Sequence, residues 1–131
     1  MRETSIDRIR LSSVQPQEFS VDLLGLWENE RLCPHFHIPL QSGDDYILKK
    51  MRRRYNSEQF LKSLQFVRDS LPSASITTDV IVGFPEESEE MFSNTIETCN
   101  DAMFSKIHIF PYSKRPGTSA YYSDNFVDNS V

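Results

Sequence analysis

A chain of 131 residues has room for one ordinary domain and not for two, so any function sits in one core or is shared with sequence beyond it. Its 38% hydrophobic and 25% charged fractions suit a soluble globular protein; no apolar run nears the ~20 residues that span a bilayer, which excludes a membrane role. The polar start and only two cysteines, Cys33 and Cys99, point to a reducing cytoplasm, and a net charge of −5 has the wrong sign for a self-sufficient nucleic-acid binder.

Residues 8–13 alternate apolar and polar at period two and predict a first strand. Ser20 is a good N-cap for a helix carrying Leu23, Leu24 and Trp27 on one stripe, which ends before Pro34. Residues 35–41 alternate again and close at Ser42 and Gly43. Residues 44–54 predict a short helix with Ile47, Leu48 and Met51 on one side. The next helix starts at Asn56, with Gln59 three residues on as capping-box partner, and buries Phe60, Leu61, Leu64, Val67 and Leu71.

Residues 76–84 form the strongest predicted strand, stopped by Gly83 and Pro85. Residues 88–103 predict a helix with Phe92, Ile96, Cys99 and Met103 as its buried stripe, and residues 106–112 a fourth strand. Strands separated by helices imply right-handed crossovers and a parallel sheet. The fold class is therefore α/β, with about four parallel strands and outer helices. Beyond residue 118 the periodicity stops and residues 119–131 predict an irregular tail.

The two faces of the predicted strands separate cleanly. Ile9, Leu11, Phe36, Ile38, Leu40, Ile76, Val80, Val82, Ile107 and Ile109 suit packing under helices. Arg10, Ser12, His35, His37, Gln41, Thr77, Asp79 and His108 form the other face. A purely structural barrel fills its interior with branched apolar side chains, so this polar set predicts a wet, ligand-binding interior. His35 and His37 share one strand face; they suit either a metal with a third ligand or a hydrogen-bonded structural pair.

The segment His35-Phe36-His37-Ile38-Pro39-Leu40-Gln41-Ser42-Gly43 resembles the radical S-adenosylmethionine (SAM) methylthiotransferases. Residues 8–16, 51–55, 77–85 and 110–118 are similar to the same family, in the same order, as its third to sixth barrel strands and their loops. The resemblance implies that residues 1–118 are the second half of a radical SAM (βα) barrel. It implies a parent enzyme that cleaves SAM reductively on a [4Fe–4S] cluster and places a methylthio group on a modified adenosine beside the tRNA anticodon. The threonylcarbamoyladenosine branch is the most similar, ahead of the isopentenyladenosine and ribosomal-protein branches.

Carried over by position, the resemblance implies that Gln41, Ser42, Ile81, Gly83, Glu87 and Tyr112 contact SAM. Arg10, Ser12, His37 and Asp79, on the polar face, are expected to meet substrate. The family's Cys-x-x-x-Cys-x-x-Cys motif is absent, since Cys33 and Cys99 stand 66 positions apart. The chain alone is thus expected to bind no cluster or cofactor and to be inactive; the amino-terminal and RNA-binding domains of the parent are missing too.

Where the family reads Gly-Phe-Pro-Gly-Glu-Thr, this chain has Glu86, Glu87 and Ser88 after Pro85. The acidic pair suits a ligand or a helix N-terminus. Lys49, Lys50, Arg52, Arg53 and Arg54 suit tRNA phosphate, the SAM carboxylate or a helix C-terminus. Open sheet edges predict self-association, and a free-standing half-barrel acting as an interaction module is the alternative to catalysis.

Overall fold

The structure is a computed structural model that describes residues 4–128. The first three residues of the polar start and the last three of the predicted tail lie outside the described residues. Among the described residues, three parallel strands form one sheet in the order β1 (His35–His37), β2 (Ser75–Val82), β3 (Lys106–Pro111). The helices are α1 (Val21–Gly25), α2 (Asp45–Lys50), α3 (Ser57–Ser70) and α4 (Glu89–Ala102), with 3-10 turns at Pro16–Glu18, Leu26–Glu28 and Ser119–Tyr122.

The first predicted strand is not formed, while the fourth is β3. Residues 8–13 make a single parallel bridge, Ile9 to Leu32, and then diverge until the Val14 amide donates to the His37 carbonyl. Alternation over six residues thus specifies two faces without specifying a partner of the same length.

Helix starts agree with their capping residues. Ser20, Asp44, Asn56 and Ser88 each accept an amide from the first turn, and Asn56 with Gln59 completes a capping box. The core joins Phe36 of β1, Ile38 and Leu40 just after it, Ile76 and Val80 of β2, Phe60, Leu64 and Val67 of α3, and Trp27. Phe36, Ile38, Leu40, Phe60 and Val67 have no exposed surface. Burying such side chains contributes about 1.5–3 kcal/mol each.

Helix α4 reverses the predicted stripe. Phe92, Ile96 and Met103 are exposed, Cys99 is half-buried, and the buried face is Thr95, Thr98 and Ala102. The reason is the neighbour: the turn at Gly43 approaches so closely that only small side chains fit. A Cβ on Gly43 would lie 2.6 Å from Thr98 Cβ and 2.7 Å from Thr95 Cα. Ile109, expected beneath a helix, is 65% exposed on the edge strand.

The predicted irregular tail is docked in part. The Glu86 amide donates to the Asn125 carbonyl, Phe126 stacks on Tyr112 at 6.4 Å, and Lys114 Nζ stands 3.3 Å from the Phe126 ring centre.

Candidate functional site on the polar face of the sheet

Pro39 sets up the site. It has no amide to donate, so the ladder between β1 and β2 slips by one residue: His37 pairs with Thr77, yet Gln41 pairs with Val80. The fully buried Thr78 repairs the gap, its hydroxyl accepting the Leu40 amide at 2.8 Å and donating to the Ile38 carbonyl at 2.7 Å. Tyr55 donates its buried hydroxyl to the Pro39 carbonyl at 2.7 Å, and burial pushes the pKa of that hydroxyl up. After this bulge Gln41 takes a left-handed backbone, φ 69°, with its amide on the Asp79 carbonyl and its carbonyl on the Ile81 amide. Gln41 and Ile81 are therefore neighbours at the carboxyl ends of adjacent strands.

The polar face carries an ordered relay. His37 Nε2 lies 2.9 Å from Asp79 Oδ2, and His37 Nδ1 lies 3.0 Å from Thr77 Oγ1. A carboxylate only accepts, so Nε2 carries a proton, and Nδ1 shares its hydrogen bond with the Thr77 hydroxyl, which can donate or accept. Both ring nitrogens of His37 are thereby committed. Arg10 only donates, so its contact of 2.9 Å makes His35 Nε2 an acceptor and puts the proton on Nδ1. That Nδ1 is buried with no hydrogen-bond partner among the described residues. Burial, reinforced by the charge of Arg10, holds His35 below the usual histidine range. His108 pairs with Asp79 in register, and its ring centre is 6.1 Å from that of His37.

The structure brings Arg10, His37 and Asp79 onto this face, while Ser12 is exposed on the segment between Ile9 and Val14. Ser42 is turned away from it. Its side chain is fully buried, its hydroxyl 3.3 Å from Thr95 Oγ1 and accepting the Asp44 amide, which ties the turn to α4. No group of three His, Cys, Asp or Glu placed to hold a metal ion occurs among the described residues; His35 Nε2 and His37 Nδ1 both approach Thr77 Oγ1, at 3.4 and 3.0 Å.

Gly83, Glu87 and Tyr112 gather elsewhere, around a cavity of about 710 Å³. Val82 and Ile109 also line it, and these alternate to the opposite face from Ile81 and Phe110. The Gly83 backbone is left-handed, φ 72°, and its amide donates to Glu87 Oε2 at 2.6 Å. Glu87 Oε1 and the Tyr112 hydroxyl are buried and unpartnered among the described residues, and burial pushes the Glu87 carboxyl up. The expected SAM set is thus split between two faces of one strand end. Glu86, where the family glycine was expected, keeps a left-handed backbone, φ 71°, and its carboxylate takes Lys50 at 3.0 Å and Tyr46 at 2.9 Å. That hydrogen bond with Lys50 holds the carboxyl below the usual range.

Sequence reasoning missed Thr78 and Tyr55, which shape the site from beneath. The available signal was Pro39 inside an otherwise regular strand pattern.

Residues 6–99 match the profile of the Radical SAM superfamily. The chain is 46% identical over 127 residues to tRNA-2-methylthio-N(6)-dimethylallyladenosine synthase of Corynebacterium glutamicum, covering 96% of the chain and 24% of that protein. It is 45% identical to the synthase of the same name from Thermobifida fusca, over 96% of the chain and 26% of that protein. With the Mycobacteroides abscessus synthase it shares 48% identity over 91% of the chain and 24% of that protein. The chain thus spans about a quarter of the length of the relatives it matches. Among solved structures, coproporphyrinogen III oxidase of Escherichia coli, a radical SAM enzyme, superposes with a TM-score of 0.76. It covers 94% of this chain and 29% of its own, and at 20% identity the likeness concerns the fold alone.

The names of these relatives specify dimethylallyladenosine, the isopentenyl type given above as the second branch, and lend no support to the threonylcarbamoyladenosine branch. A partial barrel of parallel strands and a match across residues 6–99 agree: the chain belongs to the radical SAM superfamily, and its sequence is similar to that of tRNA methylthiotransferases.

Proposed function

We propose that this chain supplies part of the SAM and substrate pocket of a parent enzyme that methylthiolates N6-dimethylallyladenosine in tRNA. The observation that carries the reading is the Thr77–His37–Asp79 relay on the face where Gln41 and Ile81 meet at the strand ends. Parallel sheets bind ligands at their carboxyl ends, and a lumen lined by committed hydrogen-bond donors and acceptors recognises a polar heterocycle.

The residues present fit SAM in part. The Gln41 amide suits ribose hydroxyls, Ile81 offers an apolar contact for adenine, and the open backbone at Gly83 admits close approach: a Cβ there would meet only Val127, at 3.9 Å. When bound in the parent, SAM supplies the radical and the methyl group. The His37 ring is fixed in orientation by Thr77 and Asp79, which suits it to orient substrate. The residues do not fit an iron–sulfur cluster, with Cys33 and Cys99 66 positions apart and no thiol partner beside either. The chain alone is accordingly proposed to be inactive, with the cluster carried by other parts of the parent.

The test uses the intact parent. Gln41→Ala should weaken SAM binding by about one to two decades, the equivalent of an unsatisfied polar contact, with cluster content unchanged. His37→Gln should lower the yield of 2-methylthio nucleoside in tRNA with SAM affinity retained. Lys62→Ala, on the exposed face of α3 and paired only with Glu58, serves as control. If calorimetry, iron analysis and nucleoside mass spectrometry show both variants equal to the control, the pocket is misassigned. A threonylcarbamoyl product would overturn the branch.

A further inference from the structure

We propose that Lys49, Arg52 and Arg54, at and beyond the end of α2, form the contact surface for the phosphate backbone of the RNA substrate. The inference rests on the tRNA reading above and adds where the RNA touches this chain. Five of the chain's 14 Lys and Arg residues fall within residues 49–54, on a protein with net charge −5. Of these, Lys50 is paired with Glu86, whereas Lys49, Arg52 and Arg54 are exposed and make no ion pair among the described residues.

Favourable interaction with the helix dipole accounts for cations inside the last turn, Lys49 and Lys50, but not for arginines past it. The helix ends in a reversed turn. The Arg52 amide bonds to the Lys49 carbonyl and the Arg53 amide to the Leu48 carbonyl, with Arg52 itself left-handed at φ 58°. Glycine is the residue that fits this position without strain, and here an arginine occupies it. Strained backbone of this kind marks places where the side chain matters. The turn fans Arg52 and Arg54 into solvent and leaves Arg53 half-buried with an unpartnered Nε.

The location completes the argument. Lys50 and Tyr46 both bond Glu86, so α2 lies against the β2–α4 loop, beside the strand ends that carry Gln41 and Ile81. A phosphodiester held by Lys49, Arg52 and Arg54 would border the lumen into which a base must enter. Phosphate contacts position a nucleic acid, while the relay on the polar face reads the base.

The test is anisotropy of a fluorescein-labelled RNA hairpin titrated with the intact parent between 50 and 200 mM salt. The variant is Lys49→Ala combined with Arg52→Gly and Arg54→Ala. The slope of log affinity against log salt should fall by about two to three units, near one for each phosphate that the variant no longer neutralises. Affinity at low salt should drop at least about tenfold. Thermal unfolding of the variant should match or exceed that of the wild type, since glycine suits the Arg52 backbone. An unchanged slope overturns the surface and leaves the substrate reading intact, because that reading is judged by the nucleoside product of the parent. Wild type that binds no hairpin at 50 mM salt overturns it as well. So does equal affinity, with equal slope, for phosphatidylserine vesicles.

Discussion

Replacing Gly43 by alanine tests the contact that holds the Gln41 turn. The new Cβ would stand 2.6 Å from both Cβ and Oγ1 of Thr98 and 2.7 Å from the backbone Cα of Thr95. None of these atoms is the end of a flexible chain, so the turn or the helix must move. Overpacking of this kind costs about 1–3 kcal/mol. The shift also threatens two hydrogen bonds, the Gly43 amide to Thr95 Oγ1 at 3.0 Å and Thr98 Oγ1 to the Gly43 carbonyl at 3.3 Å. Each contributes about 1 kcal/mol, so the expected loss is about 2–4 kcal/mol, or a fall in Tm of about 6–12 °C for a domain of this size. Gly25→Ala is the matched control. Gly25 has a helical backbone, φ −60°, and nothing within 4 Å of a new Cβ, so alanine there should stabilise by about 0.5–1 kcal/mol. Urea unfolding followed by circular dichroism reads both. A Gly43→Ala variant within about 0.5 kcal/mol of wild type would refute the close seating of the turn on α4.

Two further outcomes follow from the same structure. His35 is held below the usual histidine range by burial and by Arg10, so the unfolded chain takes up its proton first; its contribution to stability is present above about pH 6.5, the unfolded value, and is lost as pH falls toward the folded one. The difference in stability between wild type and His35→Gln, followed from pH 7.5 to 5, should therefore shift in this direction, and a flat difference would refute it. The unpaired edge of β3, with Ile109 and Phe110 more than half exposed, should drive self-association, which sedimentation at rising concentration will show as an increasing mean mass.

Much of the fold was legible because its signals are local. Asn56 and Gln59 announced α3, Ser88 announced α4, and the β-branched run after Ser75 announced β2. Alternation also placed His37, Thr77 and Asp79 on one face before any geometry was known. What failed needed a neighbour. The apolar stripe of α4 has the right period for burial, yet Gly43 claims the threonine side, and no sequence pattern announces which of two faces a distant turn will choose. The arginine segment at residues 8–13 had two faces but found only Leu32 to bridge. The burial of Ser42 had no local signal either: one residue after a left-handed backbone, its side chain faces the interior.

The seating of α4 by hydroxyls has a thermal consequence. Exposing apolar surface raises heat capacity by about 0.45 cal/mol/K per Å², while exposing polar surface lowers it by about 0.26. Detaching Thr95 and Thr98 from the turn at Gly43 therefore carries a small heat-capacity change, and that hold varies little with temperature. The hydrocarbon core between Phe36, Phe60 and Val67 behaves otherwise, since its stabilisation fades on cooling. In the cold the layer beneath the sheet loosens first, and the turn that presents Gln41 keeps its place on the helix.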